Sequence, residues 1–499
     1  MTRSLVVWGC SSGAGKSWLA TALCRLAVRR GIRVAPFKAQ NMSNNARVVQ
    51  RSGSGAPHVD AALGEIGAAQ YFQSLAARTQ PHTDMNPVLL KPESDTQSQV
   101  VVNGVADAAL SRLPWRERSG GLAVVAQAGF QRLAAAHDLV VIEGAGSPAE
   151  INLAPQDYVN LGVARWARAA GPTAALLVSD IDRGGAFAHC HGTWALLPDD
   201  LRGLLQGFVF NRFRGDATLL APGPQQLQQL TGVPLAGVVP MLRGHGLPDE
   251  DGLADWAPTG PADATAAWLT VAVLAPPHIS NVDEFQPLRQ LPGVRLVWAR
   301  APTALVGADW VILPGSKQVS GDLAWLRATG LDKAVHRHVA GGGAVLGVCG
   351  GLQMLGRSLH DPEGHDGAVA PDLTGLGLLP VRTHFGASKR LCAAQVHFVA
   401  PAGPWAPLDG VAAQAYEIRC GHTDGEGTTA VVFDGQGQAL GWQHGRVLGV
   451  YAHGLFEDAA VLRALFGTSA PTLDSAFDRL ADHVETALDP ALLRQWLGA

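Results

Sequence analysis

The sequence predicts an α/β protein with more than one parallel-sheet domain. Short apolar runs alternate with stretches of helical periodicity along most of the chain, which is typical of parallel sheets with crossover helices. A glycine-rich loop between a strand and a helix opens the sequence, and a second strand–turn–helix unit surrounds Cys349. Because 499 residues are too many for one ordinary domain, two or three domains are expected.

The predicted strands are the short, strongly apolar runs. In the first half they are Leu5–Trp8, Val34–Phe37, Leu139–Ile142, Ala174–Ser179 and Gly207–Phe210, and in the second half Leu269–Leu274, Val294–Trp298, Trp310–Leu313, Ala344–Val348 and Val447–Tyr451. Ligands of such sheets bind beyond the carboxyl ends of the strands. The polar residues that follow these strands are therefore the functional candidates.

Composition suggests where the domains divide. Leu242–Ala267 is rich in Gly, Pro, Ala and Asp and lacks periodicity, as linkers do. We expect a P-loop domain at residues 1–243, a linker at 244–267 and a second domain at 268–499 with a helical tail from about residue 459. Val48–Pro57 is polar and rich in Gly and Ser, and is either a lid near the P-loop or a solvated connection.

The overall composition narrows the functional class. Charged residues make up 16% of the chain, below the usual quarter, which suits large buried cores. The net charge is −4 and no Lys/Arg block occurs, so nucleic acid is not an expected partner. Six scattered cysteines form no CxxC pair, which predicts neither disulfides nor zinc and favours the cytoplasm. No apolar run is long enough for a bilayer, so no membrane partner is expected.

The loop Gly9–Ser17 resembles a phosphate-binding P-loop between the first strand and a helix at about Trp18–Arg30. Its N–H groups would hold phosphates, its lysine would reach the β- and γ-phosphates, and its serine would meet Mg²⁺. Five residues separate Gly9 from Gly15 instead of the usual four, as in the dethiobiotin-synthetase type of P-loop. The expected ATP contacts in the loop are Gly13, Gly15, Lys16 and Ser17.

Polar residues at or near strand ends extend this predicted site. Glu143 ends the strand at 139–142 and is a candidate Mg²⁺ ligand with Ser17, since Mg²⁺ usually takes one or two carboxylates. Glu65 is a second candidate, although it could equally be an exposed helix residue. Asn211 could read a purine edge with its amide. The candidates for substrate binding are Lys38, Asp180, Asp182 and Arg183, of which the last three could instead form a local ion pair.

Cys349 is the candidate nucleophile of a second site. Ala344–Gln353 predicts a buried strand, a glycine turn and a helix start, with Cys349 at the turn. Backbone N–H groups and a helix N-terminus there favour thiolate and can stabilise an oxyanion, as in a nucleophile elbow. His453, at the end of a later strand, is the candidate base. A small buried cysteine in a glycine-rich turn is the alternative interpretation.

Several longer blocks resemble the family of glutamine-dependent cobyric acid synthases, nearly from end to end. The resemblance rests on Phe37–Ser43, Met85–Pro92, Glu143–Glu150, Asp180–Gly185, Phe210–Asp216, Pro277–Asn281, Leu313–Lys317 and the Cys349 and His453 segments. It implies a second domain like the class I glutamine amidotransferases. It also implies a glutamine-hydrolysing carbon–nitrogen ligase that uses ATP, Mg²⁺ and L-glutamine to amidate the b, d, e and g carboxylates of adenosylcobyrinic acid a,c-diamide, a corrinoid.

The resemblance also carries site residues to this chain. It implies that Asn41 binds substrate, and that glutamine and its oxyanion are held by Gly315, Ser316, Gly350 and Gln353. The chain departs from the family pattern at Gly13, where an acidic residue is frequent, and at Met241, where an aromatic residue is frequent. His453 is followed by Gly-Leu-Phe, so the usual third triad acid is missing and a Cys–His dyad is expected, with Glu417 as a possible orienting residue.

Two rival functions remain at this stage. The sister enzyme that amidates the a and c carboxylates of cobyrinic acid shares both domains, but the Phe37–Ser43 and Asp180–Gly185 blocks favour cobyric acid synthase. A partitioning-type P-loop ATPase would carry an extra lysine early in the loop, where Ser11 and Ser12 stand. That second rival would also leave the Cys349 unit unexplained.

Overall fold

The apolar runs of the sequence become the central strands of two sheets in the computed structural model. The structure describes residues 2–52, 63–93, 96–247, 268–367 and 370–498. A six-stranded parallel sheet organises the first domain, and an eleven-stranded mixed sheet organises the second. The predicted fold class is confirmed.

The first domain holds twelve described strands and eight described helices. The strands are β1 Arg3–Gly9, β2 Val34–Phe37, β3 Gln40–Met42, β4 Ala46–Gln50, β5 Leu63–Gly67, β6 Val88–Pro92, β7 Ser98–Val102, β8 Val105–Asp107, β9 Leu139–Glu143, β10 Thr173–Asp180, β11 Leu205–Phe213 and β12 Leu235–Pro240. The helices are α1 Lys16–Arg29, α2 Ala68–Ala76, α3 Ala108–Arg112, α4 Trp115–Ala136, α5 Val163–Ala170, α6 Ala186–Leu196, α7 Asp199–Arg202 and α8 Gly223–Thr231.

The sheet of the first domain runs in the order β12-β11-β10-β1-β9-β2. Successive side chains of β1 enter two different cores, Leu5 and Val7 on one face and Val6 and Trp8 on the other, as the two-residue period of a strand requires. Because β1 lies between β9 and β10, the P-loop that follows it emerges between the ends of those two strands. This topology gathers the predicted polar residues at one edge of the sheet.

The second domain continues the numbering. Its strands are β13 Leu269–Leu274, β14 Ile279–Ser280, β15 Val294–Ala299, β16 Trp310–Leu313, β17 Gly315–Ser316, β18 Ala344–Val348, β19 Ser358–His360, β20 Asp372–Thr374, β21 Val381–Phe398, β22 Ala412–Gly425, β23 Ala430–Asp434, β24 Ala439–His444 and β25 Val447–Val450. Its helices are α9 Gln286–Gln290, α10 Val319–Thr329, α11 Leu331–Ala340, α12 Gly350–Leu355 and α13 Ala459–Phe466, followed by α14 Leu473–Ala487 and α15 Pro490–Leu497. Strands β15-β13-β16-β18-β25 are parallel, and antiparallel strands extend the sheet beyond β25.

The last helices return to the first domain. α13 packs into the core of the second domain, whereas Phe477 and Val484 of α14 and Trp496 of α15 join the core that α1 forms with the first sheet. Arg25 of α1 pairs with Asp478 of α14, with Nε and Oδ1 2.7 Å apart. The two C-terminal helices therefore cover one face of the sheet that begins the chain.

Two expectations fall partly outside the described residues. Of the segment Val48–Pro57, residues 48–50 belong to β4 rather than to a loop, and residues from 53 onward lie outside the description. Of the expected linker, residues 248–267 lie outside it as well. Among the described helices, none combines the length and the apolar character that a membrane crossing requires.

Candidate functional site

The P-loop follows β1 with two glycines in left-handed conformation, Gly13 at φ 70° and Gly15 at φ 98°. A Cβ on Gly15 would lie 2.0 Å from Nδ2 of Asn211, so only glycine fits there. Asn211 donates that amide to the carbonyl of Ala14 over 3.0 Å. The amide nitrogen of Asn211 therefore braces the loop, and the expected contact of this side chain with a purine edge stays a prediction.

Lys16 is buried and lies over the loop itself. Its Nζ donates to the carbonyl of Ser11 over 2.9 Å and to that of Gly146 over 3.1 Å. A Cβ on Gly9 would lie 2.9 Å from Cδ of Lys16. The aliphatic stem of Lys16 therefore packs directly against Gly9, where a side chain would collide with it. The ammonium is thus held where an anion bound by the loop N–H groups would meet it.

Glu143 at the end of β9 is fully buried and accepts hydrogen bonds from several side chains. Ser17 Oγ donates to Oε1 over 2.8 Å and Lys38 Nζ donates to the same oxygen over 2.7 Å. Gln73 Nε2 donates to Oε2 over 2.5 Å. A hydroxyl and a carboxylate this close are the hard oxygen donors that Mg²⁺ prefers, so the pair of Ser17 and Glu143 fits the predicted metal.

The neutral partners of Glu143 were missed by the sequence analysis. Gln70 and Gln73 lie three residues apart on one face of α2, and both are fully buried. Gln70 accepts a hydrogen bond from Asn41 Nδ2 over 3.1 Å and reaches Glu143 over 3.4 Å. Lys38 and Asn41, both expected at the substrate, therefore lie in the buried hydrogen-bond network around Glu143. In the sequence, the only sign of these partners was a pair of glutamines, Gln70 and Gln73, at helical spacing.

Glu143→Gln is expected to lower turnover strongly and to raise the Mg²⁺ concentration needed for half-maximal rate by about tenfold or more. The amide keeps the shape of the side chain but removes the charge that would hold the cation. Rate measured against Mg²⁺ concentration tests this, with Glu150→Gln, a variant of an exposed carboxylate in the neighbouring loop, as the control. An unchanged Mg²⁺ dependence in a folded Glu143→Gln protein would assign the carboxylate to structure alone.

The acidic residues at the end of β10 form ion pairs, mainly with arginines at the end of β11. Asp180 Oδ2 lies 3.1 Å from Arg212 Nη1 and 3.3 Å from Arg183 Nε. Asp182 pairs with Arg214, whose Nε donates over 2.7 Å. Arg183 is largely exposed, and its Nη2 would lie 3.3 Å from a Cβ on Gly13. The guanidinium therefore lies beside the P-loop at the point where this chain lacks the family's frequent acidic side chain.

The metal role expected of Glu65 does not fit its surroundings. Glu65 is fully buried in β5, and its two oxygens accept hydrogen bonds from Lys91 and Lys389. Burial alone would raise the pKa of this carboxyl, but the lysines outweigh burial and lower it to about 2. Both oxygens of the carboxylate are thus taken up by ammonium groups of the protein, and a cation ligand at this position is not supported.

Cys349 occupies a strained turn between β18 and α12, with φ 50° and ψ −104°. A Cβ on Gly350 would lie 2.8 Å from the backbone nitrogen of Ser316, and one on Gly351 would lie 1.9 Å from the carbonyl oxygen of Leu313. The two glycines therefore permit a close approach that no other residue allows. Positive φ in a non-glycine residue is typical of functional turns, and it holds the sulfur beside the start of α12.

His453 lies near Cys349 and hydrogen bonds to a carboxylate, that of Glu284, which the sequence pattern did not indicate. Its Nδ1 donates to Oε1 of Glu284 over 2.9 Å, and the backbone N–H of Gly454 donates to Oε2 over 3.0 Å. Both side chains are almost completely buried. Burial alone would lower the pKa of His453, but Glu284 and Cys349 outweigh burial and raise it to about 10. The raised pKa favours the protonated form of the imidazole, for which Glu284 supplies the counter-charge.

Glu284 supplies the third group of the site, and Glu417 does not. Glu417 is fully buried between two arginines, with Oε1 3.1 Å from Arg390 Nε and Oε2 2.7 Å from Arg419 Nε. Glu284 comes from a short 3₁₀ turn, Val282–Phe285. Because that turn is far from His453 in sequence, no local spacing pointed to it. The acidic residues after the Pro277–Asn281 block were the only signal.

Glu284→Gln is expected to lower kcat/KM for glutamine hydrolysis by at least about tenfold. Without the carboxylate the pKa of His453 falls from about 10, so the alkaline limb of the pH–rate profile should move to lower pH. Glutamate release measured from pH 6 to 10 tests both effects. The matched control is Glu417→Gln, which alters a buried carboxylate of the same domain and should leave the alkaline limb in place. An unmoved limb in Glu284→Gln would contradict the assignment.

The expected glutamine-binding residues surround the same pair. A Cβ on Gly315 would lie 2.9 Å from Cε1 of His453, so its backbone lies directly against the imidazole. Ser316 donates its hydroxyl to Asp322 Oδ2 over 2.6 Å, and its backbone nitrogen and Cβ both lie near Gly350. Gln353 is buried and reaches the hydroxyl of Tyr451 over 3.4 Å. The backbone of Gly315 thus adjoins His453, and Gly350 directly follows Cys349 with Ser316 beside it.

Two family models match the chain, one for each domain. The model for the "CobQ/CobB/MinD/ParA nucleotide binding domain" matches residues 5–245. The model for the "CobB/CobQ-like glutamine amidotransferase domain" matches residues 270–461. The predicted pairing of a nucleotide-binding domain with a glutamine amidotransferase domain is thereby confirmed.

Curated relatives are similar over nearly the whole chain. A cobyric acid synthase of Leptothrix cholodnii is 58% identical over 97% of this chain and 94% of its own. Those of Paracidovorax citrulli and Methylibium petroleiphilum are each 57% identical, over 98% of both chains in the first case and over 99% and 97% in the second. Identity of this extent confirms the predicted enzyme class, a glutamine-hydrolysing amidotransferase, and shows that the chain belongs to the cobyric acid synthase family.

Proposed function

We propose that the protein amidates the b, d, e and g carboxylates of adenosylcobyrinic acid a,c-diamide, with ATP and L-glutamine, to give adenosylcobyric acid. The observation that carries the proposal is the presence of two separate constellations in one chain. One is the P-loop with Ser17 and Glu143, and the other is Cys349 with His453 and Glu284. The full-length similarity to proteins named cobyric acid synthase supports the choice of substrate.

Glutamine hydrolysis is assigned to the second domain. The Cys349 thiolate attacks the carboxamide carbon of glutamine, and the resulting oxyanion is stabilised by backbone N–H groups near Gly350 and Ser316. The C–N bond then breaks, His453 gives its proton to the leaving nitrogen, and a thioester remains. Water, deprotonated by His453, cleaves the thioester to glutamate and restores the thiol. Glu284 keeps the imidazole oriented and stabilises its charged form.

Carboxylate activation is assigned to the first domain. A corrinoid carboxylate oxygen attacks the γ-phosphorus of ATP, ADP leaves, and an acyl phosphate forms. Ammonia then attacks the acyl carbon and inorganic phosphate departs with the electron pair of the C–O bond. Lys16 is placed to meet charge that develops on the transferring phosphate. Ser17 and Glu143 would hold Mg²⁺, which neutralises phosphate charge when bound.

We divide the residues expected at the substrate into two groups according to their hydrogen bonds and ion pairs. Lys38 and Asn41 have protein partners within the network of Glu143, so we assign them to the ATP side of the site. Asp180 and Asp182 hold arginines by ion pairs. Arg183, which is exposed beside the P-loop, is the proposed contact for an anionic group of the nucleotide or the corrinoid.

Mass spectrometry of the corrinoid product tests the proposed substrate. The protein is incubated with the a,c-diamide, ATP, Mg²⁺ and glutamine, and in parallel with cobyrinic acid. Four carboxylate-to-amide conversions of the a,c-diamide are expected. Conversion of only the a and c groups of cobyrinic acid would identify the sister activity instead. ATP hydrolysis stimulated by DNA or lipid vesicles, without any amidation, would favour a partitioning-type ATPase.

A further inference from the structure

A side chain of the first domain is buried against the Cys–His site of the second. Arg47 lies on β4, is 2% exposed, and forms ion pairs with two acids of the second domain. Its Nε donates to Asp283 Oδ2 and its Nη1 donates to Glu457 Oε2, each over 2.9 Å. Asp283 directly precedes Glu284, and Glu457 follows His453 by four residues. Arg47 therefore holds the segment that carries Glu284 and the segment that carries His453.

The same guanidinium reaches the catalytic histidine through an aromatic ring. Its Cζ lies 4.9 Å from the ring centre of Tyr416. That ring stacks on the imidazole of His453, with centroids 5.3 Å apart and planes 20° apart. Two backbone hydrogen bonds between Tyr416 and His453, of 2.9 and 3.2 Å, fix the stack. A cation over a desolvated ring is stabilising, so Arg47 also helps to hold the surface on which the imidazole rests.

Neighbours of Arg47 bind the turn that presents Glu284. The backbone N–H of Ala46 donates to Asn281 Oδ1 over 3.3 Å, and Asn45 Oδ1 accepts from the backbone N–H of Val282 over 3.2 Å. Within the first domain, the guanidinium of Arg47 lies 5.1 Å from the ring centre of Phe72, which belongs to α2. The turn is thus fixed by the first domain through backbone, amide and guanidinium contacts together.

We infer that Arg47 is a positioning residue for glutamine hydrolysis, supplied to the second domain by the first. It touches neither of the two groups proposed to react, Cys349 and His453, but sets the positions of Glu284 and of the ring beneath the imidazole. The inference rests on the proposed function, because it presumes that Cys349 and His453 hydrolyse glutamine. It adds that the second domain alone does not contain a complete hydrolytic site.

Two variants of the full-length protein separate charge from geometry. Arg47→Met should lower kcat for glutamine hydrolysis at least about 100-fold, since the buried carboxylate of Asp283 and the partly exposed carboxylate of Glu457 lose their counter-charge. KM for glutamine should change less than about threefold, because Arg47 contacts none of the expected glutamine-binding residues. Arg47→Lys should recover about tenfold of the loss, as lysine restores the charge without the planar fork. Amidation driven by ammonium chloride reports whether the first domain remains folded.

Arg25→Met is the matched control. Arg25 is 1% exposed and pairs with Asp474 and Asp478, so it is an equally buried arginine with two carboxylates, at a contact between α1 and α14 that involves none of the residues proposed for glutamine hydrolysis. This control should lose thermal stability but keep the wild-type kcat for glutamine hydrolysis. Wild-type kcat in folded Arg47→Met, or an equal loss in Arg25→Met, overturns the inference. If wild-type protein and Cys349→Ala release glutamate at the same rate, the proposed function fails first and the inference with it.

Discussion

Cys349→Ala is expected to abolish glutamine-dependent amidation, by about 10³-fold or more, while amidation driven by ammonium chloride continues. The sulfur serves only the hydrolysis of glutamine, whereas activation of the carboxylate depends on Lys16 and Ser17 in the other domain. External ammonia enters as NH₃, so the ammonium-driven rate should rise as the pH approaches the pKa of ammonium. Product formation with each nitrogen source in turn measures both activities.

His453→Ala should behave in the same way, since the residue that transfers protons during glutamine hydrolysis has no part in phosphoryl transfer. The losses of the two single variants should not add in the double variant, because the pair acts as a unit. Cys392→Ala, which changes another cysteine of the second domain on β21, should retain both activities. A folded Cys349→Ala protein that is inactive with both nitrogen sources would contradict the division between the two domains. If that variant still used glutamine, Cys349 would be only a buried thiol.

Lys16→Ala is expected to abolish amidation with either nitrogen source, again by about 10³-fold or more. The ammonium of Lys16 is held against the P-loop carbonyl of Ser11, where it can stabilise charge on a transferring phosphate. The alanine side chain of the variant supplies no positive charge in its place. Amidation with saturating ATP and either glutamine or ammonium chloride measures the effect.

The control for this loss is Lys333→Ala, which removes an exposed lysine of α11 and should retain both activities. Turnover near the wild-type rate in Lys16→Ala would remove the P-loop from the mechanism. Loss of the glutamine-driven reaction alone would place Lys16 in the hydrolytic half instead, which would reverse the assignment of the two domains.

Continuous apolar runs predicted the central strands well. Val34–Phe37, Leu269–Leu274, Trp310–Leu313 and Ala344–Val348 have the observed bounds, because a strand buried on both faces has little choice of residues. The strand-end rule then placed Glu143 correctly at the edge where the P-loop emerges. The sequence pattern was sufficient for features that depend on neighbouring residues of the chain, such as a buried strand and the residue that ends it.

Contacts between distant segments could not be read in this way. The hairpin of β21 and β22 alternates buried and exposed residues and contains charged side chains. No apolar run in the sequence therefore predicted it. Glu284 and His453 are 169 residues apart, and Arg47 and Asp283 are 236 apart. An isolated acid or arginine carries no sign of its partner in one sequence. The sequence therefore suggested Glu417, and only the fold shows that Glu284 lies at the imidazole.

The return of α14 and α15 to the first sheet has a consequence for synthesis on the ribosome. The first domain lacks one covering layer of its core until the final residues of the chain have emerged. The whole second domain is made in the interval, so it can fold while α1 still exposes the apolar side that Phe477 and Val484 later cover. Nascent chains stalled before residue 473 should accordingly expose this surface to chaperones, whereas full-length chains should not.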